Sequence, residues 1–321
     1  MAIVANTFTR YDARGIREDL ANVIYNISPE ETPFQSNVAR TNVKNTFFEW
    51  QTDSLAAAST TNAALEGDDI GSFDQTTPTT RLGNYTQISV KTVVISGTLE
   101  SVDKAGRRSE MAYQIAKRGA ELKRDMEAVL LASKAANAGN NSTARQTAGL
   151  PAFLRTNTNK GTNGVDPTVS NGVVNATRVD GTQRTFTETM LKDVISKVWT
   201  QGGSPKVLMV GPYNKGVVSA FAGIAGIRYN QATAKPAAII GAADVYVSDF
   251  GAVSIVPNRF QRERDAFVLD PEYAAVGILR PIQSTELAKT GDAEKRMMLC
   301  EYGLMVRQEA AHGIAADLTT A

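Results

Sequence analysis

Residues 55–92 place the tightest limit on what this chain can become, because they form a long polar stretch with almost nothing to fold around. Residues 56–83 read AAASTTNAALEGDDIGSFDQTTPTTRLG, with Leu65, Ile70, Phe73 and Leu82 as the only sizeable apolar groups. A compact monomer seldom keeps such a segment without a core of its own, so it is either disordered or ordered by another molecule. The flanks favour the second outcome. Phe47-Phe48-Glu49-Trp50-Gln51 and Thr52 lead in, while Thr86, Ile88, Val90, Thr92 and Val94 alternate on the way out, as in two long antiparallel strands joined by a loop. A lone two-stranded ribbon is marginal in water, so a partner surface is expected to cover it, and the chain reads as an assembly protein.

Composition narrows the remaining classes. At 321 residues the chain can bury a substantial core, as one elaborate domain or two interleaved ones. Lys plus Arg number 34 against 33 for Asp plus Glu, a formal charge of +1. Such a balance disfavours wholesale coating of nucleic acid and leaves room only for a local basic face. The single cysteine, Cys300, ends the apolar run Met297-Met298-Leu299-Cys300 and reads as a small buried thiol; one cysteine makes neither an intrachain disulfide nor a zinc cluster. Charges throughout the first thirty residues leave no apolar signal segment, and no run is long and apolar enough to span a bilayer. The expectation is a soluble product of a cytosol with no membrane partner.

Periodicity organises the rest. A short helix at 16–25 precedes turns at Ser28-Pro29 and Thr32-Pro33. A strong helix is expected to begin near Val102 and run to Ala136, with Met111, Ile115, Gly119, Leu122, Met126, Val129 and Leu130 as its buried stripe. Its other face carries Lys117, Arg118, Glu121, Lys123, Arg124, Asp125 and Glu127, and residues 137–141 stop it. Residues 137–184 read as linker and loop around the apolar island Leu150-Pro151-Ala152-Phe153-Leu154. Thr185-x-x-Glu188 has the form of a capping box, opening a helix closed by Gly202-Gly203. A buried strand at 205–212 and a helix at 213–222 complete a small α/β unit. Strand candidates at 245–247, 253–256, 266–269, 274–278 and 296–306 return the chain to the long helix.

Catalytic chemistry finds little support. His312 is the one histidine and lacks a Gly-x-Ser-x-Gly elbow, so a surface or packing role is expected for it. Asp68-Asp69, with Glu66 and Asp74 nearby, could attract a hard cation but lack an EF-hand spacing, and a solvated or salt-bridged acidic tip is the plainer reading. Neither residues 211–216 nor 223–226 have Walker spacing, and the triplets at Asn140 and Asn175 are chance matches to a glycosylation acceptor. Basic groups at Arg107-Arg108, Arg262/Arg264 and Lys295-Arg296 would suit docking of an acidic arm. No cofactor or metal is called for.

The order of these parts resembles the major capsid proteins of tailed double-stranded DNA bacteriophages, which have the Hong Kong 97-like fold, and within them the branch similar to the SU-ten phages. The residues carrying the likeness are Val94-Ile95-Ser96-Gly97-Thr98, the helical run at 116–127 and residues 205–212, and the likeness spans almost the whole chain. It implies an α+β fold with residues 1–50 as N-arm and start of the E-loop, 51–96 as an extended β-hairpin E-loop, and 97–137 as the spine helix of a peripheral domain. Residues 138–252 would be an axial domain and 253–321 the return strands of the peripheral domain. It further implies a subunit that self-assembles, as hexamers and pentamers, into an icosahedral shell around double-stranded DNA contacted non-specifically. The virion would be assembled in the host bacterial cytoplasm, with decoration, scaffolding and portal proteins as further partners. Glu66, Asp68, Asp69, Asp74, Arg81, Arg107, Arg108, Arg262 and Arg264 are the expected inter-subunit contacts. No lysine lies between Lys44 and Lys91, so a covalent lysine link from the arm tip is excluded. An encapsulin-like compartment shell is the alternative within the fold, and an α/β enzyme the alternative outside it.

Overall fold

A short helix α1 (Pro33–Asn37) leads into strands β1 (Ala39–Asn42), β2 (Phe47–Thr52), β3 (Thr80–Tyr85) and β4 (Gln87–Ser96). Helices α2 (Gly97–Ser101), α3 (Glu110–Leu131) and α4 (Leu150–Phe153) follow, then the short strands β5 (Thr158–Asn159), β6 (Val169–Ser170) and β7 (Val173–Val174). Next come α5 (Glu188–Thr200), β8 (Val207–Val210) and α6 (Pro212–Ser219). The chain closes through β9 (Val245–Ser248), β10 (Gly251–Pro257), β11 (Ala266–Leu269), β12 (Ala274–Leu287), β13 (Ala293–Val306) and β14 (Gly313–Ala315). The computed structural model describes residues 31–221 and 244–321, apart from 64, 68–72 and 74; the helix expected at 16–25 lies outside the described residues.

Among the described residues the strands form three sheets, with strand orders β1-β12-β13-β4, β5-β14-β11-β8-β10-β9 and β2-β3-β7-β6. The all-apolar run of β8 is explained by its central place in the six-stranded sheet. Val207 and Met209 face one core, shared with α3, α4 and the β12–β13 pair; Leu208 and Val210 face a second core under α5 and α6. In β11, Phe267 and Leu269 join the first core while Ala266 and Val268 join the second. A strand buried on both faces has no polar positions to alternate with.

Helix α3, about 33 Å long at 1.5 Å per residue, buries Met111, Leu122, Met126 and Leu130 along the stripe the sequence marks out. Its limits differ from the expected ones. The N-cap is Ser109, whose hydroxyl accepts from the Ala112 N–H at 3.2 Å, because the chain first makes the separate helix α2 and turns at Gly106 with φ +75°. At the other end, residues 132–136 keep helix-forming alanines yet leave the helix: Ala136 N–H donates to Val174 O and Gly149 N–H to Lys134 O. Gly149 passes so close to the Ala132 carbonyl that a Cβ would lie 1.9 Å from it. Tertiary hydrogen bonds override a modest propensity here.

Four further expectations are corrected. The chain leaving the arm does not form one long strand paired with β2: β3 pairs with β2, then the chain bends at Thr86, and β4 pairs with β13 over ten residues. Residues 137–184 are not mere linker, since Leu150, Ala152, Phe153 and Leu154 are core and an Asn171-Gly172 turn, both residues at positive φ, closes the β6–β7 hairpin. The cap of α5 is Thr187, not Thr185, because Phe186 must stay extended to reach the second core, edge-on to Phe221 at 5.6 Å. Finally, β10, β11 and β14 belong to the six-stranded sheet, so within residues 253–321 the return to α3 is carried by β12 and β13, and a boundary at 252 falls inside β10.

Candidate assembly surfaces

The arm is the loop of 27 residues between β2 and β3. Its base is fixed by a seat for Phe48. Gly277 and Gly303 are register partners in the β12–β13 pair, and a Cβ on Gly303 would lie 2.7 Å from the Phe48 ring. Asn84 locks the second strand: its amide donates to Thr147 Oγ1 at 2.9 Å and Leu304 O at 2.7 Å, and its oxygen accepts from Ala148 N–H at 2.9 Å. At the Thr86 corner, buried Glu301 accepts from Thr86 Oγ1 and Arg280 Nε, each at 2.8 Å, and pairs with Arg145. Hydrogen bonding and these cations hold the Glu301 carboxyl below its usual range against the opposing effect of burial, which is the largest single influence. Gly303→Ala is therefore expected to cost about 1–3 kcal/mol by overpacking and to loosen the arm base, read as a lower midpoint in urea unfolding and faster proteolysis after Phe48.

Beyond this base the arm makes few intrachain contacts among the described residues. Thr52 Oγ1 donates to Thr80 O, Thr79 Oγ1 to Gln51 Oε1 and Gln308 Nε2 to Asp53 O, and Glu49 pairs with Arg81 across the ribbon. Leu55, Leu65 and Phe73 stand 99%, 79% and 88% exposed, and Glu66 is exposed beside them. Asp68, Asp69 and Asp74 lie outside the described residues.

The basic residues expected to receive an acidic arm divide into two sets. Arg262 and Arg264 are engaged within the chain. Arg262 donates to Asp180 at 2.5 Å and lies 3.5 Å from Asp265, while Arg264 donates to Asp180 at 3.1 Å and to Asp317 at 2.9 Å. Asp317, at φ +62°, also accepts the Gly161 and Gly181 N–H groups, so this cluster ties the C-terminal segment to two loops. Arg107 pairs with Glu110 and lies over the Tyr113 ring at 5.4 Å. Arg108 is exposed and has no side-chain partner among the described residues.

Two buried titratable groups set opposing pH responses. Burial pushes the Asp265 carboxyl up to about 6, against the pull of Arg262. An acid with a raised pKa adds stability below its ordinary range, and this is lost as pH rises through 6. His312, whose Nδ1 accepts the Asp270 N–H at 3.3 Å, is buried rather than at the surface, and burial lowers it to about 4. Its contribution is whole above 6.5 and is lost as pH falls through 4. Asp265→Asn removes only the first response. Between pH 7 and 4 the variant should therefore lose about 2 kcal/mol more than the parent, measured by denaturant unfolding at the two pH values; equal losses would contradict the assignment.

Sequence reasoning missed the junction between α1 and α3. Glu127, placed above on the solvent face, is fully buried. Its Oε1 accepts from Phe34 N–H and Asn258 Nδ2, both at 2.7 Å, and its Oε2 from Gln35 N–H and Gln35 Nε2, both at 3.1 Å. The carboxylate thereby caps α1 and binds it to α3 and the end of β10. One signal was available: Glu127 precedes the buried Leu131 by one helical turn. Cys300 is buried as expected, its thiol pushed up to about 12 by burial.

A long polar arm between paired strands β2 and β3, a long spine helix laid on a four-stranded sheet, and a six-stranded sheet flanked by helices define the Hong Kong 97-like class of capsid subunit. The family model for the SU10 major capsid protein matches residues 3–319, and the chain belongs to that family. A major capsid protein of Escherichia phage Phieco32 is 28% identical over 348 aligned positions, covering 96% of each chain. Among solved structures, one from Gordonia phage Cozz has a TM-score of 0.62 at 11% identity, covering 99% of this chain and 98% of that one. The cyanophage A-1(L) capsid asymmetric unit gives 0.62 at 13% identity, covering 95% and 98%. The protein is thus a structural subunit of the icosahedral head shell of a tailed phage, part of the virion, and self-associates into capsomers. Family membership sets aside both the encapsulin-like and the α/β-enzyme readings.

Proposed function

We propose that the shell closes by arm exchange: each copy lays its 53–79 arm over a neighbour within hexamers and pentamers, and the closed shell encloses double-stranded DNA contacted non-specifically. The observation that carries this reading is the arm itself, with three large apolar side chains almost fully in solvent and no lysine or arginine from 53 to 80. Burial on a neighbour would recover about 1.5–3 kcal/mol for each large apolar side chain, offset by the ordering of the arm. The acids Glu66, Asp68, Asp69 and Asp74 face cations of that neighbour. Arg108 is the member of the expected set left without an intrachain partner among the described residues, whereas Arg81, Arg107, Arg262 and Arg264 keep their own carboxylates. In this scheme the β4–β13–β12–β1 sheet with α3 forms the peripheral domain and the six-stranded sheet the axial domain. Assembly takes place in the host cytoplasm, with portal, scaffolding and decoration proteins as separate partners.

Negative-stain electron microscopy of the chain coexpressed with its neighbouring genes tests the reading. Closed shells are expected from the parent, and at least tenfold fewer from Asp68→Lys/Asp69→Lys, with unchanged unfolding of the isolated chain. Undiminished particle yield from the variant would refute charge docking by the arm.

A further inference from the structure

A cavity of about 170 Å³ opens between α1, α3 and the β12–β13 pair. Its floor is apolar, made by Met126, Val276, Ile278 and Tyr302. Around its mouth stand Arg40, Lys123 and Arg280, and no carboxylate among the described residues lines it. Arg280 shares Glu301 with Arg145, but the side chains of Arg40 and Lys123 are exposed and meet no acid among the described residues. The mouth exists because β12 loses its register between Ile278 and Gln283. Pro281 within that stretch has no N–H for the ladder, and β1 covers β12 only as far as Ile278.

We propose that this cavity receives Phe73 from the arm of a second copy, the acids of that arm lying against Arg40, Lys123 and Arg280; the assignment rests on the arm-exchange reading and names its docking site. Three observations converge on that occupant. First, size: an apolar cavity of about 150 Å³ holds a benzene molecule, so 170 Å³ takes a phenyl ring. Second, supply: Phe73 is 88% exposed, and the arm, up to about 45 Å out and back when extended, can carry it well past its own subunit. Third, charge: from 53 to 80 the chain carries Asp53, Glu66, Asp68, Asp69 and Asp74 and no cation. A mouth whose charged groups, among the described residues, are all cations suits an arm whose charged groups are all acids, which steers the encounter and sets its orientation.

Disulfide trapping tests this in a Cys300→Ala background. Phe73→Cys is paired with Ile282→Cys, a half-exposed residue at the rim of the cavity, or with Arg108→Cys as the competing site. In assembled particles the 282 pair should yield at least tenfold more reducible, subunit-linking disulfide than the 108 pair. Intact particles in which the 282 pair links no better than the 108 pair overturn the cavity assignment and leave the shell reading standing. Failure of the parent chain to form particles overturns both. Should the cysteine pairs block assembly, a charge exchange decides: Arg40→Asp/Lys123→Asp should cut particle yield at least tenfold, and adding Asp68→Lys/Asp69→Lys should restore it. Absence of restoration overturns the proposal.

Discussion

Glu127→Ala is expected to destabilise the isolated chain by about 3–5 kcal/mol, near the upper end for a single substitution. Four donors now converge on the Glu127 carboxylate inside the protein, two of them backbone N–H groups in the first turn of α1. Removing the acceptor leaves those donors buried and unpaired, at about 1–3 kcal/mol each before relaxation and entry of water. Burial raises the pKa of the carboxyl, and the hydrogen bonds from Phe34, Gln35 and Asn258 oppose that rise. Both oxygens accept two bonds, so the arrangement suits the ionised form. Glu127→Gln keeps the shape but turns an NH₂ group toward donors, and should cost about 1–3 kcal/mol. Urea unfolding gives the magnitude, and limited proteolysis near Pro33 reports release of α1. A glutamine variant as stable as the parent would show that the acceptor geometry contributes little.

Removing the arm should have the opposite signature, with assembly lost and the fold kept. Thr52 and Thr80 are register partners, so replacing 53–79 with Asn-Gly joins them through a two-residue hairpin turn of the type such strands favour. Shortening the loop from 27 residues to two reduces closure entropy by at most about 2 kcal/mol. Little packing is lost in exchange, since Leu55, Leu65 and Phe73 are exposed within the chain. The variant is expected to unfold at equal or higher denaturant concentration and to form no closed shells by electron microscopy. Normal shells from it would place the holding contacts elsewhere. A destabilised monomer would mean that the arm has an intrachain role.

These two substitutions separate what was legible in the residues from what was not. The arm was legible because its signal is local: a long polar stretch with only a few scattered apolar groups builds no core of its own in any fold. The α3 stripe and the doubly buried β8 were legible for a similar reason, as their periods of 3.6 and of continuous apolarity need no knowledge of partners. Glu127 was not, because a glutamate on a helix reads as solvent-facing until α1, brought from 93 residues away, presents its unpaired N–H groups. Arg262 and Arg264 resembled free docking cations for the same reason. Their carboxylates, Asp180 and Asp317, lie 82 and 53 residues away in the chain.

The sequence by itself determined the parts: an arm without a core of its own, an amphipathic spine, a buried strand and their order, in which the resemblance to the capsid class lies. Only the tertiary structure decided where those parts end and which charges remain available. Helix α3 stops at Leu131 because other segments take up the backbone groups of 132–136, and the strand leaving the arm breaks at Thr86 because Glu301, Arg145 and Thr46 hold it there. Propensities differ by less than about 1 kcal/mol per residue for ordinary side chains, whereas an unmet buried polar group costs about 1–3 kcal/mol. Element limits and the pairing of charges are therefore settled by contacts that sequence neighbours do not reveal.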